Sequence, residues 1–439
     1  MKTIVLFGAG KSATVLIEYL LSNAPKNEWK LILVDADLQL AAAKIARSPY
    51  GEATSFDVLD AESRSQAMGK ADLVISLLPP HLHIVVAREC IQQGKHLLTA
   101  SYVNDEIKQY RGDIEKKDLL FLYEMGLDPG IDHMSAMSLL DGIRAQNGLI
   151  NSFISHCGGL VAPESDDNPW HYKISWNPRN VVTAGRDGAQ FKQMGKLITL
   201  THQQIFDQLR LISISDAGEY AWYPNRDSIS YMPLYGLEDT PTFIRTTLRH
   251  PAYIRGWKQI LALGLCADEP VYALENPSLS AAWKYHLSTG NLNESLAAHR
   301  NKSAEFDEQI QFLGLEDSQT RLGKNQFSPS DLLQFALENK LKLSPTDKDM
   351  ILMQHEIEYT LNGKKYQLNS SLTVKGENAI RTAMAKTVGL PLGIAASLVL
   401  NGNLKSRGLQ VPILPEIYKP VLAELEKEGI CFNDNTVNL

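Results

Sequence analysis

The sequence predicts an α/β protein: a doubly wound parallel sheet joined to a mixed α+β domain that carries a helical insertion. Three observations predict it. Apolar runs at 3–8, 30–34, 71–78, 95–99 and 119–123 alternate with helical patterns through short links, the rhythm of a parallel sheet. The first run ends in Gly8-Ala9-Gly10-Lys11-Ser12-Ala13, with glycines where a strand turns into a helix. Beyond residue 133 the rhythm is lost, and the runs 350–361 and 364–374, joined at Asn362-Gly363, read as an antiparallel hairpin. The first part is therefore of Rossmann type.

At 439 residues the chain exceeds one ordinary core. The expected division is 1–126 with 385–439 as a dinucleotide-binding domain, 127–255 with 346–384 as a mixed-sheet substrate domain, and 256–345 as a small helical insertion. A net charge of −7 argues against a nucleic-acid partner. Cys90, Cys157, Cys266 and Cys431 have no metal-ligand spacing and read as reduced thiols of a cytoplasmic protein with no metal site. The opening Met-Lys and its apolar run read as a strand, not a signal peptide, because Gly8 and Gly10 interrupt it. The longest apolar run, 388–400, holds Gly389, Pro391 and Gly393 and is too short to span a bilayer, so no membrane partner is expected.

After the glycine turn, Val15, Leu16, Tyr19 and Leu20 share one face of a predicted helix. A second strand, 30–34, ends at Asp35, a helix covers 37–46, and a strand at 52–56 ends at Asp57. A polar helix at 61–69 precedes the fourth strand, which Pro79-Pro80 closes. Residues 81–93 read as helix stopped by Gly94, and 104–117 as helix with acids first and lysines last. The strand at 119–123 runs into Gly126-Leu127-Asp128-Pro129-Gly130, the turn on which the chain pivots. Strand-like runs follow at 150–156, 180–185 and 210–215, then helical patterns to 345, and helices at 377–402 and 415–428 close the chain.

The glycine pattern suits a pyrophosphate. Gly8 permits the tight turn, Gly10 the close approach of backbone, and Ala13 the packing of helix on strand, with Lys11 and Ser12 between them. Asp35 stands where a carboxylate hydrogen-bonds the adenosine ribose; capping the next helix is its other reading. Asp57 and Val58 follow the third strand, and Ser76, Leu77, Leu78 and Pro79 line the path from the fourth towards a nicotinamide ring. Asp128 lies at a strand end facing a crevice, or else caps a turn. His81 and His83 read as core or surface histidines, and His133 packs or orients Asp132.

The block Gly126-Leu127-Asp128-Pro129-Gly130-Ile131-Asp132-His133 resembles the glutamate-forming saccharopine dehydrogenases, also called saccharopine reductases. Cys157-Gly158-Gly159, Ala162-Pro163-Glu164 and Lys173-Ile174-Ser175-Trp176 continue the resemblance in order. So do Tyr223-Pro224-Asn225-Arg226-Asp227-Ser228, Thr247-Leu248-Arg249, Gly389-Leu390-Pro391 and Pro415-Glu416-Ile417. The resemblance implies a Rossmann domain, a mixed-sheet substrate domain and a smaller helical domain. It also implies oxidation of the secondary amine of saccharopine to an imine, then hydrolysis to glutamate and 2-aminoadipate semialdehyde.

Arg226 and Arg249 would then fork onto substrate carboxylates. Thr247, Leu248, Trp176, Ser101, Tyr102 and Asp128 would complete the substrate site, and Leu127 would touch the cofactor. Asp128, Tyr102 and Cys157 are the three candidates for moving the amine's proton. In the fungal members of the family NADP is the cofactor and a basic residue ends the second strand. Val34-Asp35-Ala36-Asp37 departs from that and points to NAD in preference to NADP. The small-molecule substrates aside, the expected partner is a second copy of the chain. A related imine-reducing dehydrogenase and a non-catalytic dinucleotide-binding scaffold are the competing readings.

Overall fold

In the computed structural model, which describes residues 1–184, 186–214, 217–289 and 292–439, the chain divides into two units. One is Met1–Asn147 with Ile380–Cys431; the other is Gly148–Ala379 with Phe432–Leu439. The first opens on β1 (Lys2–Phe7), whose last four residues are buried, as a strand covered on both faces must be. Then come α1 (Thr14–Asn27), β2 (Trp29–Asp35), α2 (Leu38–Ile45), β3 (Gly51–Ser55), α3 (Ala61–Gly69) and β4 (Leu73–Ser76). They continue in α4 (His83–Gln93), β5 (His96–Thr99), α5 (Asp105–Lys108), α6 (Arg111–Lys116), β6 (Leu120–Leu122) and α7 (Ile131–Ala145). Gly94 ends α4 in the left-handed region at φ 68°, as a helix stop requires. The single helix expected over 104–117 is two short ones, interrupted at Gln109 and Tyr110, whose hydroxyl accepts from Arg88.

All six strands pair in parallel in the order β6-β5-β4-β1-β2-β3. Consecutive strands run outward one way from β1 and, after the crossover from β3 to β4, the other way. The C-terminal edge between β1 and β4 is thus the switch point where such sheets hold ligands.

The second unit begins with β7 (Leu149–Val161), followed by α8 (Pro178–Thr183), β8 (Ala189–Gln193), β9 (Lys196–Leu200), β10 (Arg210–Ile214), β11 (Gly218–Pro224) and β12 (Arg226–Asp227). Residues 180–183 of the strand read over 180–185 belong to the helix α8 and Ala184 is the turn residue after it, while residue 185 lies outside the described residues. Asn177 caps it by accepting from the Arg179 amide, and Pro178 presets its first turn, outweighing β-branched Val181 and Val182. Residue 215 of the third strand-like run also lies outside the described residues. After α9 (Met232–Tyr235), β13 (Thr242–Arg249) and α10 (Pro251–Ala262) come β14 (Tyr272–Ala273), α11 (Leu279–Ser288), α12 (Leu292–Lys302), α13 (Ala304–Phe312), β15 (Gln326–Phe327) and α14 (Pro329–Lys340). This helical stretch shares one apolar core with Trp170, Tyr172, Ala221 and Tyr223.

The hairpin forms as expected: β16 (Asp349–Leu361) and β17 (Lys364–Lys375) turn at Asn362 and Gly363, with φ 51° and 74°. Both positive angles are what a two-residue type I′ turn requires. Along one path the mixed sheet runs β10-β11-β13-β7-β16-β17.

Finally α15 (Ala383–Leu400), β18 (Gly408–Gln410) and α16 (Pro415–Lys427) rejoin the first unit, and β19 (Asn433–Asn438) adds an edge to the second. β18 extends the parallel sheet beside β6. Gly389 and Gly393 let α15 lie on α1, since a Cβ would stand 2.7 Å from the Leu16 amide and 2.5 Å from the Tyr19 ring. At 18 residues α15 is longer than the apolar run read from the sequence, and by length and composition it is able to cross a membrane. Two-thirds of it, 67%, is buried.

Candidate active site

At the switch point β1 runs into Gly8, whose φ is +103° and whose Cβ would stand 2.6 Å from the Leu77 carbonyl oxygen. Only glycine lets the loop lie against the end of β4. A Cβ on Gly10, by contrast, would meet nothing within 4 Å. That open side, with Lys11 exposed and Ala13 buried beneath, fits the approach of a pyrophosphate. Asp35 ends β2 and accepts from the Ala9 amide (2.7 Å) through one oxygen and from the Asp37 amide (2.9 Å) through the other. The cap of α2 is Asp37, so Asp35 is not the helix cap. Lys44 reaches the Gly10 carbonyl (3.0 Å) and the Thr14 hydroxyl (2.5 Å). Burial pulls its pKa below the ordinary lysine value, against the pull of Glu18 and Asp35.

Ser76, at the end of β4, is fully buried with its hydroxyl 2.8 Å from His83 Nδ1. Burial, helped by His81, lowers the His83 pKa to about 4, which keeps the ring neutral. Leu77 and Leu78 are half-buried and Pro79 exposed. Asp57 is exposed after β3 and accepts from the Leu59 amide, while Val58 is buried.

The central turn follows β6. Ile131 and Asp132 amides donate back to the Gly126 and Leu127 carbonyls, and the Asp128–Pro129 bond is cis. Gly130 has φ +147°, and a Cβ there would fall 2.0 Å from the Gly126 oxygen. Gly130→Ala is therefore expected to destabilise the protein by more than about 2 kcal/mol, read as a lower urea midpoint. An unchanged midpoint would mean the turn relaxes freely. Asp128 is half-buried with Oδ1 3.5 Å from the Tyr102 hydroxyl, Leu127 is buried, and Ser101 accepts from the Glu124 amide. The glycine loop, Asp35, Ser76, Tyr102 and Asp128 all stand at the same C-terminal edge of the parallel sheet.

In the second unit, Thr247 on β13 pairs with Cys157 on β7 and with Tyr223 on β11. Cys157 lies within β7, not at a strand end as expected, because Gly158 and Gly159 continue the strand; a Cβ on Gly158 would strike Leu248 at 2.7 Å. Alternation puts Arg245, Thr247 and Arg249 on one face of β13. Leu248 is apart from them, its side chain buried on the other face with Leu160 and Leu352. Arg249 is 4% exposed, with its guanidinium carbon 5.2 Å from the Tyr172 ring and 5.5 Å from that of Tyr253. One of its nitrogens donates to the Leu248 carbonyl (2.7 Å), its Nε has no hydrogen-bond acceptor, and among the described residues no carboxylate pairs with it. Trp176 donates to the Tyr172 hydroxyl (2.8 Å), next to that cage. Arg226 is exposed, with φ 44°, one residue after Asn225, whose amide donates to the Arg245 carbonyl. Arg245, buried over the Tyr231 ring at 4.3 Å, was legible in Arg245-Thr246-Thr247-Leu248-Arg249 as the third member of one face.

Residues 4–122 match the family model for the saccharopine dehydrogenase NADP binding domain, and residues 126–430 that for the saccharopine dehydrogenase C-terminal domain. The chain belongs to the saccharopine dehydrogenase family. Saccharopine dehydrogenase [NADP(+), L-glutamate-forming] of Saccharomyces cerevisiae is 31% identical over 99% of each chain. The mitochondrial alpha-aminoadipic semialdehyde synthase of Mus musculus is 31% identical over 100% of this chain. The chain spans about half the length of the synthases it matches, 48% for the mouse protein. The apo structure of the L-Glu-forming saccharopine dehydrogenase from yeast superposes with a TM-score of 0.87 at 29% identity, covering 100% of both chains. As a member of this family the chain is an α/β protein with a nicotinamide-dinucleotide domain.

Proposed function

We propose that the chain is a saccharopine dehydrogenase of the glutamate-forming type, interconverting saccharopine with L-glutamate and 2-aminoadipate 6-semialdehyde. The observation that carries this reading is Arg249, a buried guanidinium with an idle N–H and no acid partner among the described residues. A buried cation left without an anion is costly in the free protein, and a carboxylate ligand offsets that cost. Saccharopine brings three carboxylates, and Arg226 takes another of them. The bound nicotinamide supplies the hydride chemistry at the glycine-loop edge of the parallel sheet. The chain's own residues handle the proton: Asp128 accepts it from the substrate amine, and the Tyr102 phenol beside it orients the carboxylate. Cys157 contributes a small side chain to the Thr247 face rather than a nucleophile. NAD is the preferred cofactor, through Asp35.

Incubating the protein with saccharopine and either NAD or NADP, and following reduced-cofactor absorbance, tests the activity. No reduction with either would overturn it. Asp128→Asn keeps the shape and removes the basicity, so kcat is expected to fall by about a hundredfold with a KM for saccharopine within severalfold of wild type. Full turnover with an unchanged pH profile would remove Asp128 from the proton path.

A further inference from the structure

Beneath the central turn lies a buried pair that the proton chemistry does not use. Glu124 is 3% exposed and His133 fully buried, and Glu124 Oε2 stands 2.9 Å from His133 Nε2. The other carboxylate oxygen accepts from the Val103 amide at 3.0 Å. The Glu124 backbone grips the same segment, its amide donating to the Ser101 carbonyl at 3.0 Å. Glu124 holds φ at +59°, a left-handed conformation that costs a residue with a side chain, and that persists only where its surroundings demand it. On the far side, His133 sits in the first turn of α7, where Asp132 accepts from the Gly130 amide at 2.6 Å.

We infer that Glu124 and His133 are positioning residues: one buried carboxylate ties the segment carrying Tyr102 to the helix start that holds the Asp128 turn, and so sets the distance between them. Tyr102 is flanked by Ser101 and Val103, both bonded to Glu124, and Asp128 lies between β6 and α7, which Glu124 and His133 join. The two ends of the 3.5 Å contact are thereby fixed to one rigid element instead of to two independent loops. The inference rests on the reaction proposed above.

The test is kinetics and hydrogen exchange on the whole protein carrying Glu124→Gln, His133→Ala or His133→Gln. Glu124→Gln and His133→Ala are expected to lower kcat at least tenfold, with KM for saccharopine and for cofactor within threefold of wild type. His133→Gln, which restores an N–H donor, is expected to recover most of the loss. In a Tyr102→Phe background Glu124→Gln is expected to cost less than threefold, because the group it positions is gone. The amide of Val103 is expected to exchange at least tenfold faster in Glu124→Gln. Wild-type kcat in His133→Ala, or a full additive loss in the Tyr102→Phe background, would overturn the inference. If Glu124→Gln does not fold, the His133 pair decides alone: equal kcat in the alanine and glutamine variants overturns it. A wild-type protein that does not oxidise saccharopine would sink the proposed reaction, and the brace is then judged by Val103 exchange, where an unchanged rate refutes it.

Discussion

Asp35→Ser is expected to shift the ratio of kcat/KM for NAD to that for NADP towards NADP by on the order of a hundredfold, enough to invert the preference. The carboxylate of Asp35 stands at the end of β2 with each oxygen already accepting one amide, from Ala9 and from Asp37. Each oxygen keeps lone pairs for ribose hydroxyls, whereas a 2′-phosphate would meet like charge in a partly desolvated pocket. Lys44 adds a second term. Its ammonium lies at the Gly10 carbonyl and the Thr14 hydroxyl and feels the Asp35 charge, so removing that charge frees a cation beside the phosphate site. The serine variant is also expected to bind NAD less well, since one hydroxyl replaces two oxygens, of which one holds the glycine loop through Ala9 and the other accepts from the Asp37 amide. The yeast relative carries NADP(+) in its name, which makes the wild-type comparison decisive. Wild-type protein that turns over NADP better than NAD at equal concentration would return Asp35 to a purely loop-bracing role.

Arg249→Met should raise the KM for saccharopine by at least about thirtyfold, a loss of roughly 2 kcal/mol, with cofactor KM near normal. Methionine keeps much of the volume between Tyr172 and Tyr253 while removing the charge and the donors. The guanidinium belongs to the face that also carries Thr247, so a ligand carboxylate gains a fork and a hydroxyl there. Because no carboxylate pairs with Arg249 among the described residues, the substitution leaves no protein acid stranded, and folding should survive it. An unchanged KM in a folded Arg249→Met protein would make the tyrosine cage a structural cation–π stack, and the substrate pocket would have to be sought elsewhere.

The sequence by itself determined the parallel sheet and its switch point. Short apolar runs separated by helical patterns admit few other topologies, and Gly8 has a steric reason to be glycine where it stands. It likewise determined the hairpin turn at Asn362-Gly363, because only residues tolerant of positive φ fit there. Local signals misled where two competed, as in 180–185, where the cap at Asn177 and Pro178 outweighed valine's strand preference. Tertiary structure alone decided which side chains meet. Glu124 and His133 are nine residues apart across a turn, and their contact depends on how β6 and α7 are aimed, which no periodicity records. It also decided the division of labour between Asp35 and Asp37. The idle N–H of Arg249 is of the same kind. Burial and the lack of an acid partner are properties of everything packed around a residue, and a sequence states only its neighbours along the chain.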